Sequence, residues 1–315
     1  MTKYVLKRIL YMIPVLLGVA FLVFTILSLT PGDPGTIILG ITAKPEAIAS
    51  LNAEFGYDKP FLVRFFLYIA GILRFDLGTS YTTRQPVVAS IAARFPNTLL
   101  LAVLSMCVSA LLGVTLGIIS AVRQYSVLDR VLVVTALVFA SIPGFWLGLM
   151  LITLFSLRLK LLPVFGADSL KHFILPTLTV SLTSAAGLLR LTRASMLETV
   201  RQEYIRTAQA KGAPERVVIW RHALRNALIP VVTTMGTSFG ASLGGAIIAE
   251  TVFAMPGMGT LLTTAIRQKD VPMVMGATLF LAFLFSVVIL LVDVLYAFID
   301  PRIKAKYRNG GSRRE

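Results

Sequence analysis

Few of the usual carriers of chemistry are present in this chain of 315 residues: it holds one cysteine, Cys107, and two histidines, His172 and His222. A single cysteine excludes an intramolecular disulfide, and two histidines far apart in sequence exclude a metal cluster of ordinary ligand spacing. No Gly-x-x-x-x-Gly-Lys-Ser/Thr loop occurs, so nucleotide cannot be held by that device. Charge is also scarce, at 14% of residues against 56% hydrophobic ones, and mean hydropathy is +0.82. A water-soluble domain carries more charge and less oil than this.

What is there in quantity is long apolar stretch. Those at 9–30, 95–122, 131–157, 173–189, 226–249 and 273–299 predict six transmembrane helices. About 20 residues at 1.5 Å rise cross a hydrocarbon core about 30 Å thick. The shortest, 173–189, is followed by Arg190 and Arg193, which can snorkel to the interface and lengthen it. The first stretch follows Lys3, Lys7 and Arg8 as in a signal peptide. It is too long for that role, and it runs into Thr30-Pro31-Gly32-Asp33-Pro34 rather than a small-x-small cleavage site, so it stays as the first span.

Six crossings put both ends of the chain on one side. Lys and Arg concentrate in 1–8, 122–130, 190–225 and the basic tail 300–315, which places these segments, and both termini, in the cytoplasm. Segments 31–94, 158–172 and 250–272 are then extracytoplasmic. The net charge of +15 thereby faces anionic membrane lipid, and no soluble domain is left over to read nucleic acid.

Several features within this frame invite a role. Residues 61–69 are apolar and aromatic with Arg64 interposed, which predicts a helix lying along the interface or packed on the spans. Met255-Pro256-Gly257-Met258-Gly259 predicts a rigid bend. Gly236, Gly240 and Gly244 recur at every fourth residue with Ala241 and Gly245 beside them. Such a smooth stripe serves either helix packing inside the chain or a subunit interface or pathway wall. Gly113/Gly117 and Gly144/Gly148 repeat that spacing once each. Asp293 is the one carboxylate of the last span; interfacial placement and proton relay are both readings of it.

The most polar segment, 190–225, holds eleven charged residues. Each Arg, Lys or Asp at a span centre costs roughly 2.5–3.5 kcal/mol, so this segment lies in water between two spans. Residues 203–210 lack Gly and Pro and continue as helix, and Gly212 supplies the left-handed conformation that ends one. Pro214 and Glu215 open a second helix running to Asn226. A connection between spans needs only a few residues, so two charged helices here predict a docking site for a cytoplasmic partner.

This segment resembles the cytoplasmic signature of the membrane-spanning permease subunits of ATP-binding-cassette (ABC) importers: Glu-Ala-Ala, three residues, Gly, nine residues, then Ile-x-Leu-Pro. Arg206-Thr207-Ala208 stands at the Glu-Ala-Ala position, Gly212 at the glycine and His222-Ala223-Leu224-Arg225 at the end, with Ala208, Gly212 and Leu224 matching. Glu203-Tyr204-Ile205-Arg206-Thr207-Ala208-Gln209-Ala210-Lys211-Gly212 with Arg221-His222-Ala223-Leu224-Arg225-Asn226-Ala227 resembles the dipeptide/oligopeptide/nickel subgroup. So do Lys7-Arg8-Ile9, Pro31-Gly32-Asp33-Pro34 and Glu250-Thr251-Val252-Phe253 before Pro256-Gly257-Met258-Gly259, and the likeness is to the first permease of the pair.

The resemblance implies an all-α polytopic membrane protein with the type I ABC importer transmembrane domain, in a bacterial or archaeal plasma (inner) membrane. It implies a coupling helix at the turn, with the ATPase contact carried by Ala208, Ala210, Gly212, Glu215 and Arg216. It implies no catalytic residue, cofactor or metal in this chain, ATP and Mg being held by partner subunits. The expected partners are a second homologous permease, two ATPase subunits, an extracytoplasmic solute-binding protein and membrane lipid. Di- or oligopeptide is the expected solute, with nickel or another metal chelate, or glutathione, as alternatives. An ion-coupled secondary transporter would carry mid-membrane carboxylates in matching halves, and an intramembrane protease a nucleophile and base or metal ligands inside spans.

Overall fold

The computed structural model describes residues 2–299 except Pro31 and Gly245. The basic tail 300–315 and Gly245 of the glycine-rich stretch therefore lie outside the described residues. Within them the chain is helical, and its only β pairing is an isolated bridge between Thr79 and Pro86.

Four helices are long and apolar enough to cross a membrane: Val5–Leu29 within α1 (Thr2–Leu29), Val87–Val122, Lys171–Val200, and Val271–Val294 at the end of the chain. A bent pair makes a fifth candidate. The count of six expected above is not reached by length and composition.

Between the first two long helices stand α2 (Pro34–Leu39), α3 (Pro45–Glu54) and α4 (Phe61–Leu73). Asp33 caps α2 by accepting from the Thr36 amide at 2.8 Å, and its carboxylate also takes the Asn52 amide nitrogen at 2.7 Å. Asn52 in turn accepts from the Gly35 amide at 2.7 Å, so the Gly-Asp-Pro-Gly segment pins α2 to α3. Only glycine fits at 35, where a Cβ would stand 2.6 Å from the Ile48 carbonyl oxygen. Helix α4, with 13 residues, is apolar but too short to span, and it packs on α1 through Phe65, whose ring lies 5.4 Å from Phe21 and 5.5 Å from Phe24.

Helix α5 (Val87–Val122) has 36 residues and so a length of about 54 Å, well beyond the hydrocarbon. The apolar run from 95 is only its inner part; the helix starts earlier because nothing between Val87 and Phe95 breaks it.

The expected third span, 131–157, is not one helix. Helix α6 (Val127–Ser141) ends at Ile142, and α7 (Gly144–Leu151), prolonged by a π-helical turn over Ile152–Arg158, leaves at 99°. Pro143 causes the corner: it holds Ile142 extended, at φ −74° and ψ 126°, and has no amide proton to carry the helix on. Gly148 then lets α7 lie close to Val252 and Phe253, to which a Cβ there would come within 3.2 and 3.3 Å.

Helix α8 (Lys171–Val200) is 30 residues and packs along α5. The closest approach is made by Gly113 and Gly117, where a Cβ would stand 2.6 Å from Leu188 Cβ and from Thr192 Cβ respectively. A short α9 (Glu203–Ala210) and α10 (Glu215–Val217) follow; a π-helical turn at Val218–Ala223 leads into α11 (Leu224–Leu243).

The expected fifth span, 226–249, also stops early. Gly244 caps α11, and α12 (Ile247–Val252) starts anew. At 20 residues α11 is long enough to cross, but Thr233, Thr234, Thr237, Ser238 and Ser242 make it less apolar than the four spans above. Helices α13 (Met258–Arg267) and α14 (Val271–Ile299) are the last described elements.

Two buried carboxylates organise the end of the bundle at α12 and α13. Glu250 is fully buried and accepts from the Thr98 hydroxyl at 2.7 Å and from the Gly259 and Thr260 amides at 2.7 and 3.1 Å. It thereby caps α13 and ties it to α5. Asp270, also buried, accepts from the Tyr81 amide and the Thr82 hydroxyl and so holds loop 78–86 against the start of α14.

Candidate functional site

At the opposite end of α5 and α8 the chain makes a sharp elbow. Helix α9 opens after Gln202, held extended, with Glu203 in its first turn, where an acid suits the helix dipole. It closes with paired bonds: the Gly212 amide donates to the Gln209 carbonyl at 2.9 Å and the Ala213 amide to the Ala208 carbonyl at 3.2 Å. This Schellman arrangement needs a left-handed residue, and Gly212 supplies it at φ +78°. Pro214 is extended and starts α10, again with an acid, Glu215, in the first turn.

One face of the elbow is locked down. Ile205, Val218, Ala223 and Ala227 are buried with Met196 of α8 and with Ile118 and Ala121 of α5. The Asn226 amide also donates to the Tyr204 hydroxyl at 2.7 Å, bridging α9 to α11. The other side of the turn is open: Ala210, Gly212, Glu215 and Arg216 are exposed and Ala208 is half-buried. Nothing approaches within 4 Å of where a Cβ on Gly212 would point.

Beside the tip runs a groove of about 520 Å³ with Ile118, Val122, Leu128 and Trp220 in its walls and Glu215 and Arg216 on its rim. Trp220 is 62% exposed, a large apolar side chain standing in solvent on a charged segment.

A forked ion pair braces the same end. Arg193 does not snorkel: its Nε and one terminal nitrogen meet the two oxygens of Asp129 at 2.7 and 2.8 Å. Asp129 also accepts from the Ser120 hydroxyl and from the Tyr125 amide, so α5, α6 and α8 are joined at one carboxylate. Sequence reading missed this cluster, since residues 64 apart carry no spacing signal; the pointer available was that both charges sit at span ends on the basic side.

The glycine stripe resolves in two ways. Gly236 and Gly240 face α14, where a Cβ would run into Val292 and Phe285, which is packing inside the chain. Gly244 instead ends α11, and its nearest neighbour is the Ala241 carbonyl of its own helix. The outward side of α11 shows Thr234, Thr237, Ser238 and Ala241, all exposed at helical spacing. Ser238 and Ser242 join Ser105, Ser109 and Ser184 around a small cavity of about 20 Å³ between α5, α8 and α11.

The remaining candidates take structural places. Asp293 pairs with Arg8 of α1 at 3.0 Å. The His172 ring accepts from the Ser169 amide at 3.2 Å at the start of α8, and the His222 carbonyl belongs to the π-helical turn. Among the described residues no three of His, Cys, Asp and Glu gather as metal ligands.

Comparison with known proteins covers nearly the whole chain. Residues 113–305 match the family described as binding-protein-dependent transport system inner membrane component, and residues 1–102 match the N-terminal membrane component of the same systems. The chain is 44% identical over 306 residues to the glutathione transport system permease protein GsiC of Salmonella typhi, covering 97% of this chain and 100% of that one. To GsiC of Escherichia coli (strain K12) it is 42% identical over the same share. Among solved structures it resembles an inward-facing form of the MetNI methionine ABC transporter, at 17% identity and a TM-score of 0.57, over 68% of this chain and 97% of that chain.

Proposed function

The chain belongs to the family of binding-protein-dependent transport inner membrane components, the permeases of ABC importers, and from that premise we propose how it works and what it carries. It is an all-helical, multi-pass membrane protein with the type I importer fold. We read the exposed tip at Ala208, Ala210, Gly212, Glu215 and Arg216 as the surface gripped by an ATPase subunit. The observation that carries this reading is the elbow's two-sided character: one face is fixed to the ends of α5 and α8 while the other is exposed and charged. A push on such a tip moves α5 and α8 as one body. Two ATPases, a second homologous permease and an extracytoplasmic binding protein complete the reading, with the elbow and both termini cytoplasmic, as the distribution of Lys and Arg favours.

Six crossings are part of this proposal. Helix α11 supplies the one that composition does not reveal, because its exposed Thr234, Thr237 and Ser238 are poorly suited to lipid. That face suits the second permease or a water-filled path.

For the solute, a small peptide remains the reading, and the GsiC relatives favour glutathione, itself a tripeptide, within that class. The test is the assembled transporter in proteoliposomes. ATP-dependent uptake of glutathione or a tripeptide is expected, and Gly212→Val, which forces a β-branched residue into φ +78°, is expected to cut uptake at least tenfold while the complex still hydrolyses ATP. Full uptake by that variant overturns the lever.

A further inference from the structure

Far from the elbow, where α1 ends, an arginine stands in an aromatic pocket without a counter-ion. The Arg64 guanidinium carbon lies 4.2 Å from the Tyr57 ring centroid and 5.8 Å from that of Phe24. Among the described residues no carboxylate pairs with it, and its Nε has no hydrogen-bond partner. Ring faces return roughly 0.5–2 kcal/mol to a cation, which leaves the charge of a half-buried arginine largely unanswered.

The pocket has room for an answer. A cavity of about 320 Å³ is lined by Arg64, Tyr57, Phe24, Leu67 and Tyr68, with the exposed Lys59 and Glu54 among the rest. That volume is at the lower end of small-molecule sites. Its charged lining, two cations against one acid, favours an anion.

What the anion is attached to follows from the neighbours. Phe24, Leu27 and Ser28 belong to the last turns of α1, where a span meets the headgroup layer. Helix α4 exposes Leu62, Val63, Phe66 and Leu67, an apolar face on a helix too short to span, and Leu67 also lines the cavity. The occupant thus meets positive charge inside and oil along the way out.

We propose that this cavity is a phospholipid site in the leaflet next to 31–94, with the phosphate on Arg64 and Lys59 and an acyl chain over Leu67 and Phe66. The site lies apart from the elbow and does not depend on the coupling reading.

The test is native mass spectrometry of the delipidated full-length chain in detergent, titrated with phosphatidylglycerol, phosphatidylcholine, glycerol 3-phosphate and inorganic phosphate. One phosphatidylglycerol adduct is expected to form ahead of phosphatidylcholine. Arg64→Gln should weaken it about tenfold, the loss of a charged hydrogen bond, and Lys59→Glu severalfold. Lys59 is exposed, so that variant tests the site even if Arg64→Gln does not fold. If glycerol 3-phosphate or phosphate binds as tightly as the lipid, the occupant is a soluble anion and the lipid assignment is overturned. If both variants take phosphatidylglycerol like the parent, there is no site.

Discussion

Arg193 on α8 and Asp129 on α6 form a two-pronged ion pair, with the Asp129 side chain 4% exposed and that of Arg193 25%. Charges drawn this far from water stabilise only while both are present, because a lone carboxylate left behind is stranded. Through Ser120 the same carboxylate reaches α5, so the pair braces the three helices that end beside the elbow.

Arg193→Ala is therefore expected to cost about 3 kcal/mol, the lower end for a buried pair since water reaches the arginine. The double variant Asp129→Ala/Arg193→Ala should recover much of that loss, because no charge is then stranded. Unfolding of the purified chain in a denaturing-detergent titration measures both. Losses of Arg193→Ala and Asp129→Ala that simply add in the double variant would show that the pair is incidental.

The glycines of α5 and α8 separate close approach from mere small size. A Cβ at 113 meets Leu188 Cβ at 2.6 Å and the Ala185 carbonyl oxygen at 2.8 Å, and backbone cannot rotate away. At Gly187 nothing lies within 4 Å. Gly113→Ala should lose about 1–3 kcal/mol by overpacking, whereas Gly187→Ala should be neutral or gain up to about 1 kcal/mol from helix propensity. The ranking of the two in the same titration decides the matter.

Acid should loosen the cap of α2. Burial opposes the Asp33 charge, but hydrogen bonds from the Thr36 amide, Asn52 and the Thr36 hydroxyl outweigh it and hold the carboxyl below its ordinary value. A depressed acid contributes stability that is complete above its unfolded pKa, near 3.9, and that is lost as pH falls through the lower folded value. Hydrogen exchange in α2 and α3, corrected for its intrinsic pH dependence, should stay protected at pH 5 and rise below about pH 4. In Asp33→Asn, which has no charge to lose, exchange should be insensitive to pH over that range.

Much of the fold was legible in the sequence because apolar length is a strong signal. Stretches at 95–122, 173–189 and 273–299 each lie in a long helix, and 9–30 does so up to Leu29. Two other stretches are interrupted for local reasons. Pro143 turns an apolar run through 99°, a geometry that hydropathy does not register, and Gly244 stops α11 although apolar residues continue beyond it. At the elbow, Gly212, Pro214 and the acids at 203 and 215 announce the turn by chemistry that needs no tertiary context. The Arg193–Asp129 brace and the Glu250 clamp were not legible, since each is a pairing across the fold. The close approach through Gly113 and Gly117 is set by what α8 presents opposite them.

The central claim, that the tip at Gly212 is where the ATPase grips, is tested most directly by cysteine labelling. With the exposed Cys107 changed to serine, Arg216→Cys provides a single thiol on the tip. An impermeant maleimide should leave it unlabelled in intact cells, label it in inside-out vesicles stripped of ATPase subunits, and label it several times more slowly once those subunits are restored. Labelling from outside intact cells, or a rate that the ATPase subunits do not change, would contradict the account.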